Sequence, residues 1–224
     1  MYMTQMTPRR RTCAAALMRA RWLVLVAALA GAAGCRDLAG TQALPAGTSD
    51  PANFRTPEGA LDLYRGAAGL FQDTFATFLA RSGMLADELS SSSNSTLSAI
   101  DARTLPDAGE NGNAFLEGSG PLQRVRAQTA TAIAALAQYN PSAPTALRGE
   151  LYALEGYSEV MLADLFCSGI PLSTVDFEQD FTYKPGSTTA QVYQHAVALF
   201  DTAIVLSAAD PRILNLARVG KARA

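Results

Sequence analysis

The side chains able to do chemistry in this chain are few and scattered. Its one histidine, His195, has no serine in a nucleophile-elbow setting to activate. A Ser-His-Asp triad therefore lacks its defining motif, and His195 is expected to be partly buried and structural. One histidine and three cysteines, at 13, 35 and 167, cannot supply the usual ligand spacing of a zinc site, so no metal or cofactor is expected. Cys167, within Leu165-Phe166-Cys167, reads as a small buried hydrophobe. Carboxylates cluster at Asp87-Glu88 and at Asp176, Glu178 and Asp180. Two carboxylates are what a glycosidase needs, but neither cluster carries a second sign of a pocket, and solvated surface acids are the preferred reading. Phe177, Phe181 and Tyr183 share the segment that holds the second acidic cluster. Such rings either stack on the apolar faces of sugars or pack their loop onto the helices. No phosphate-cradling glycine motif occurs. No catalytic residue is assigned.

The first 35 residues read as an address. Arg9, Arg10, Arg11, Arg19 and Arg21 precede an apolar run from Trp22 to Gly34, and no acid interrupts them. That run falls short of the ~20 residues a spanning helix needs. It reads as a secretory signal over residues 1–34. Ala32-Ala33-Gly34-Cys35 resembles the bacterial lipobox, with Ala32 where leucine is usual, which makes Cys35 the expected site of lipid attachment. Cleavage there leaves 13 basic residues against 20 acidic ones, a net charge of −7 where the whole chain carries −2. That balance, with only two lysines, argues against a nucleic-acid partner.

Positioning falls to helices. The chain holds 42 alanines in 224 residues, and alanine is the strongest helix former. Residues 35–55 are polar and aperiodic and read as a lipidated, flexible tether. Thr56-Pro57-Glu58 is a helix start, and Leu61, Tyr64, Ala68, Phe71, Phe75 and Phe78 follow on one face. Residues 90–120 read as a long loop with room for a short helical turn. A second helix is expected from about Pro121 to Tyr139 and a third from Thr145 to Phe166. The third has an apolar stripe (Leu147, Leu151, Leu154, Met161, Leu165) beside a small-residue stripe (Ala146, Ala153, Gly156, Ala163). Glu155 and Glu159 are assigned to its wet face. Thr188-x-x-Gln191 is a capping box opening a fourth helix, and Asp210-Pro211 opens a fifth. The expected fold is all-α, with tetratricopeptide-like helical pairs and long loops over residues 56–224.

One stretch carries a resemblance. Residues Leu151 to Leu172 are similar to the signature of the SusD/RagB nutrient-uptake lipoproteins: a helix of small and aromatic residues ends in Leu165-Phe166-Cys167-Ser168-Gly169-Ile170-Pro171-Leu172. A loop follows, then Thr189-Ala190-Gln191-Val192-Tyr193 and Ala203-Ile204-Val205-Leu206. Ala217 to Ala224 matches the next family helix, and Gly83 to Leu89 an upstream segment. Members of that family are longer, so the resemblance implies a chain truncated within a helix and incomplete at its C-terminus. It also implies an outer-membrane, cell-surface lipoprotein that binds without catalysing. Such a protein captures a glycan or peptide for a SusC-like TonB-dependent transporter. Ligand-loop candidates on this reading are Asp87, Glu88, Phe181 and Tyr183. Two other readings compete: a periplasmic tetratricopeptide-like scaffold lipoprotein in envelope assembly, and a glycoside hydrolase acting through Asp87 or Glu88.

Overall fold

Threonine, proline and glutamate at 56–58 do open the first long helix. The structure is a computed structural model that describes residues 51–92, 96–104, 113–178 and 180–224. In it the Thr56 hydroxyl accepts a hydrogen bond from the Gly59 amide at 3.0 Å, and Pro57 sits in the first turn, where its missing N–H is harmless. Helix α1 spans Pro57–Leu85, α2 Thr96–Asp101, α3 Asn113–Tyr139 and α4 Thr145–Leu165. Four short strands follow: β1 (Ser168–Pro171), β2 (Thr174–Val175), β3 (Phe181–Thr182) and β4 (Gly186–Thr188). Helices α5 (Thr189–Leu206) and α6 (Pro211–Arg223) complete the described chain. The fold is all-α, as expected, with two small antiparallel ribbons, β1–β4 and β2–β3, between α4 and α5. No helix among the described residues is long and apolar enough to cross a membrane.

Three boundaries differ from the sequence reading. The tether expected through residue 55 ends sooner, because Pro51–Phe54 forms a 3-10 turn against the start of α1. A Cβ on Gly59 would lie 2.1 Å from the Asn53 carbonyl oxygen, so only glycine permits that approach. Helix α3 begins at Asn113 and runs through Pro121. A proline removes one helical hydrogen bond, which does not force a stop where the flanking turns continue. The ribbons are the third difference: strands of two to four residues are too short to show periodicity.

Helix α4 is the centre. Of its 21 residues 14 are buried, more than one face can hold. Helices α1 and α3 pack along one side of it and α5 and α6 along another. The seam between α1 and α3 is built from small residues: Ala60 and Ala67 meet Ala132 and Ala135. The α1 aromatics Tyr64, Phe71 and Phe75 flank that seam half-buried. The small stripe of α4 faces α5, where Ala153 packs with Ala196, Phe200 and Ala203. Phe200 is fully buried, with Gly156 of α4 and Gly220 of α6 both against its ring and Tyr157 edge-on at 5.2 Å.

A β-carbon on Gly220 would sit 2.2 Å from the Phe200 ring, and one on Gly156 2.9 Å away. Gly220→Ala is therefore expected to destabilise the chain by about 1–3 kcal/mol through overpacking. Gly66 and Gly69 of α1 have open space at the same position. Substituting either by alanine is expected to stabilise by about 0.5–1 kcal/mol. Denaturant unfolding midpoints of the three variants check both signs.

Candidate functional site

Helix α4 carries four acids although most of its surface is buried. Each is turned toward a partner or into the core. Glu150, near the first turn, accepts a bidentate pair from Arg212 of α6 at 3.1 and 3.2 Å and a hydrogen bond from the Tyr64 hydroxyl of α1 at 2.5 Å. Burial, reinforced by that bond, pushes the Tyr64 hydroxyl up to about 12. Asp164, near the last turn, accepts from the Tyr193 hydroxyl at 2.6 Å and from Arg223 at 2.8 Å. Glu155 and Glu159 lie between, and the expectation that they face solvent is corrected: Glu159 is 0% exposed and Glu155 7%.

Glu159 is held from two sides. Arg126 of α3, itself buried, donates its Nε–H to one carboxylate oxygen at 2.8 Å. His195 of α5 places Nδ1 2.7 Å from the other. The Glu159 carboxylate raises the His195 pKa above its usual value, against the opposing effect of partial burial. The His195 side chain is 43% exposed, so its ring closes this cluster from the solvent side. Glu155 lies one turn from Glu159. Desolvation drives its pKa up to about 7, with Arg126 and His195 opposing and Glu159 adding to the rise. Arg126 is the residue the sequence reading missed. It lies on the stripe Leu122, Val125, Thr129, Ala132, Leu136, all buried, so a charge there called for a buried partner.

Arg126 also reaches the segment after α4. Its guanidinium donates to the Ser173 carbonyl at 3.3 Å and to the Gln123 side-chain oxygen at 2.7 Å, while Gln123 donates to the Pro171 carbonyl at 3.0 Å. Ile170, Leu172 and Val175 are buried beneath this strap. Gly169 adopts φ +84°, and a Cβ on Gly186 would lie 2.6 Å from the Gly169 carbonyl oxygen, so the β1–β4 ribbon closes only with glycine at both places. The β2–β3 hairpin then pairs Thr174 with Thr182 and Val175 with Phe181. Asp176 closes its turn, accepting from the Asp180 amide at 2.9 Å. Glu178 pairs with Arg55 at 2.7 Å.

The two aromatics expected to matter stand at the end of this hairpin. Phe181 is 62% exposed and Tyr183 84% exposed, and their rings stack 6.1 Å apart at 19°. Only Phe177 packs inward, 5.3 Å from Tyr139. Asp87 and Glu88 lie elsewhere, beyond the C-terminus of α1. Asp87 adopts φ 61°, and the Asp87 and Glu88 amides bond back to the Met84 and Gly83 carbonyls, a left-handed helix stop of the kind glycine usually fills. Arg103 stops α2 in the same way, and the two stop residues form an exposed ion pair at 2.7 Å. Both acids are thus accounted for by helix termination and the surface. Cys167 is exposed, not buried as expected, because α4 ends at Leu165 and the chain turns outward. Cys35, the expected lipid-attachment site, and the expected signal segment 1–34 lie outside the described residues. Among the described residues no group of three or more His, Cys, Asp or Glu is placed to hold a metal. No protein-family model, curated protein or solved structure matches this chain.

The raised pKa of Glu155 has a definite sign in stability. Its neutral form is favoured by the fold, so that contribution is full below its ordinary value of 4.5 and is lost as the pH climbs to about 7. His195 acts in the same direction, its contribution falling as pH rises from 6.5 through its raised pKa. Glu155→Gln is expected to remove a slope approaching ~1.4 kcal/mol per pH unit across the Glu155 window. Denaturant unfolding of the variant and the parent over that range checks it. Glu159→Ala, which strands Arg126 in the core, is expected to cost about 3–5 kcal/mol in the same assay.

Proposed function

We propose that this protein is a lipid-anchored outer-membrane protein that captures an oligosaccharide or peptide nutrient for a SusC-like TonB-dependent transporter, without chemistry of its own. The exposed Phe181–Tyr183 pair carries this reading. Leaving two large rings in water forgoes about 1.5–3 kcal/mol of burial for a side chain of Phe size. Here they stand nearly parallel on a hairpin tied down by buried groups. The outward faces of two such stacked, exposed rings match the flat apolar face of a pyranose ring. An apolar peptide side chain is the other ligand they suit.

Further support comes from the sequence. Cys35 follows small residues behind a charged and then apolar leader. The segment from Leu151 to Leu172, with its later helices, is similar to the SusD/RagB signature. In the fold that segment becomes the central helix and the strap beneath the aromatic hairpin.

Binding of a panel of neutral oligosaccharides and short peptides, followed by titration calorimetry, tests the reading. Phe181→Ala and Tyr183→Ala are each expected to weaken the best ligand by roughly tenfold, about 1.4 kcal/mol, without shifting the unfolding midpoint. Binding that the double variant leaves unchanged would remove the aromatic pair from the site. The same protein, expressed with its lipid, is expected to copurify with a TonB-dependent barrel and to be cut by protease added to intact cells. Survival under protease favours the periplasmic scaffold instead.

A further inference from the structure

We propose that the cavity where α1, α4 and α6 end binds an apolar molecule that carries a carboxylate, an alkyl or aryl acid, through Arg223. The cavity has a volume of about 430 Å³, within the range of small-molecule pockets. Five of the eight residues that line it are apolar: Phe78, Leu79, Leu85 and Ala86 at the end of α1, and Leu165 at the end of α4. Leu79 and Leu85 are each 49% exposed. A single exposed leucine needs no explanation, but here two of them line one cavity with a half-buried phenylalanine. The polar lining is Ser82, Asp164 and Arg223. The Ser82 hydroxyl turns back to its own helix, donating to the Leu79 carbonyl at 3.2 Å. Selection among ligands therefore falls to Asp164 and Arg223.

The C-terminal end of a helix carries partial negative charge and favours a cation beside it. Neither α1 nor α4 has a basic residue in its last turn, and α4 has Asp164 there instead. Both ends are met by a guanidinium brought from elsewhere in the chain. Arg103 donates to the Leu85 carbonyl at 3.0 Å, which covers the end of α1. Arg223 of α6 donates to one oxygen of Asp164 at 2.8 Å, and the Tyr193 hydroxyl of α5 holds the other oxygen at 2.6 Å. Asp164, a misfit at its own helix end, is thus fixed by Tyr193 and in turn fixes Arg223 at the cavity. Departures from local rules of this kind gather at functional sites. The Arg223–Asp164 bond comes from one terminal nitrogen, so another edge of the planar guanidinium remains to take a second carboxylate at two points. An apolar acid then lays its body against Leu79, Leu85 and Leu165 and its carboxylate on Arg223. An amine with the same body meets a like charge there, and an alcohol forgoes the charge-assisted bond. None of these residues belongs to the aromatic hairpin, so the assignment stands apart from the ligand proposed for Phe181 and Tyr183.

Calorimetric titration of the full chain with octanoate, octylamine and octanol, which share one apolar body, tests the assignment. Octanoate is expected to bind about tenfold more tightly than either of the others, the effect of one charge-assisted hydrogen bond. Arg223→Gln is expected to bring octanoate down to the level of octanol. Leu85→Asp, which sets an acid at the edge of the cavity, is expected to abolish octanoate binding. Both positions are about half exposed, so neither change is expected to move the unfolding midpoint. Should Arg223→Gln fail to fold, Leu85→Asp decides. Phe181→Ala is expected to leave octanoate binding as it is. Octylamine or octanol binding as tightly as octanoate overturns the carboxylate assignment, and so does a chain that binds no octanoate. Octanoate binding that both cavity variants leave unchanged, or that Phe181→Ala removes, lies elsewhere and overturns the site.

Discussion

The buried pairing of Arg126 with Glu159 is the constraint on which the rest of the structure depends. Removing two charges from water is unfavourable by several kcal/mol each, and an ion pair returns that only with good geometry and further hydrogen bonds. Both conditions hold here. Each Glu159 oxygen has its own partner, and the guanidinium also donates to Gln123 and to a main-chain carbonyl. A greasy replacement of similar volume could match the stability of such a pair. It could not match its directionality. The carboxylate accepts from α3 on one side and meets the imidazole of α5 on the other, which sets the rotation of both helices about α4.

That pairing is buried because of the residues around it. Alanine and glycine bring α4 close to its neighbours, with Ala153 against Ala196 and Ala203, and Gly156 against the Phe200 ring. Close approach on several sides buries most of α4, its acids Glu150, Glu155 and Glu159 included, while Asp164 near its end stays exposed. Glu150 finds Tyr64 and Arg212, Asp164 finds Tyr193 and Arg223, and Glu159 finds Arg126 and His195. These partners come from α1, α3, α5 and α6, so the polar bonds follow the same lines as the apolar seams. Glu155 is the exception. Its pKa near 7 is the mark of a carboxylate buried beyond what its partners compensate.

The starts of α1, α5 and α6 were legible in the sequence, because capping is local chemistry, whereas that of α3 was not. Thr56 with Pro57, the reciprocal Thr188–Gln191 box and Asp210 with Pro211 all stand where their residue types place them. The small stripe of α4 was legible too, as a run of residues with nothing else to offer. The wet face assigned to Glu155 and Glu159 was not. An amphipathic reading supposes one face in water, which fails for a helix enclosed by others. The ribbons were hidden for a different reason. Their pairing is set by Gly169 at positive φ and by Gly186 pressed against it, a contact between residues 17 apart in sequence. Of the candidate site, Phe181 and Tyr183 were visible as aromatics in a loop. What holds them, Arg126 on a different helix, belongs to tertiary structure.

A loop that binds must satisfy two opposed demands. Its rings must stay in water until a ligand arrives, yet its backbone must not wander, or ordering it on binding would consume the affinity gained. Apolar anchoring alone would tend to pull Phe181 and Tyr183 in with Phe177. Here the anchoring is divided by chemistry. Ile170, Leu172 and Val175 bury the near side of the strap, Gln123 and Arg126 fix its carbonyls, and Phe177 alone turns inward onto Tyr139. The Val175–Phe181 pairing joins a buried residue to an exposed one across the hairpin. The outer strand is thus held by main-chain bonds, and its side chains stay free. Hydrogen bonds to backbone carbonyls suit this purpose because they are directional and take no account of which side chains the strand carries. The support built on α3 and α4 therefore fixes the backbone of the hairpin and leaves its side chains unconstrained.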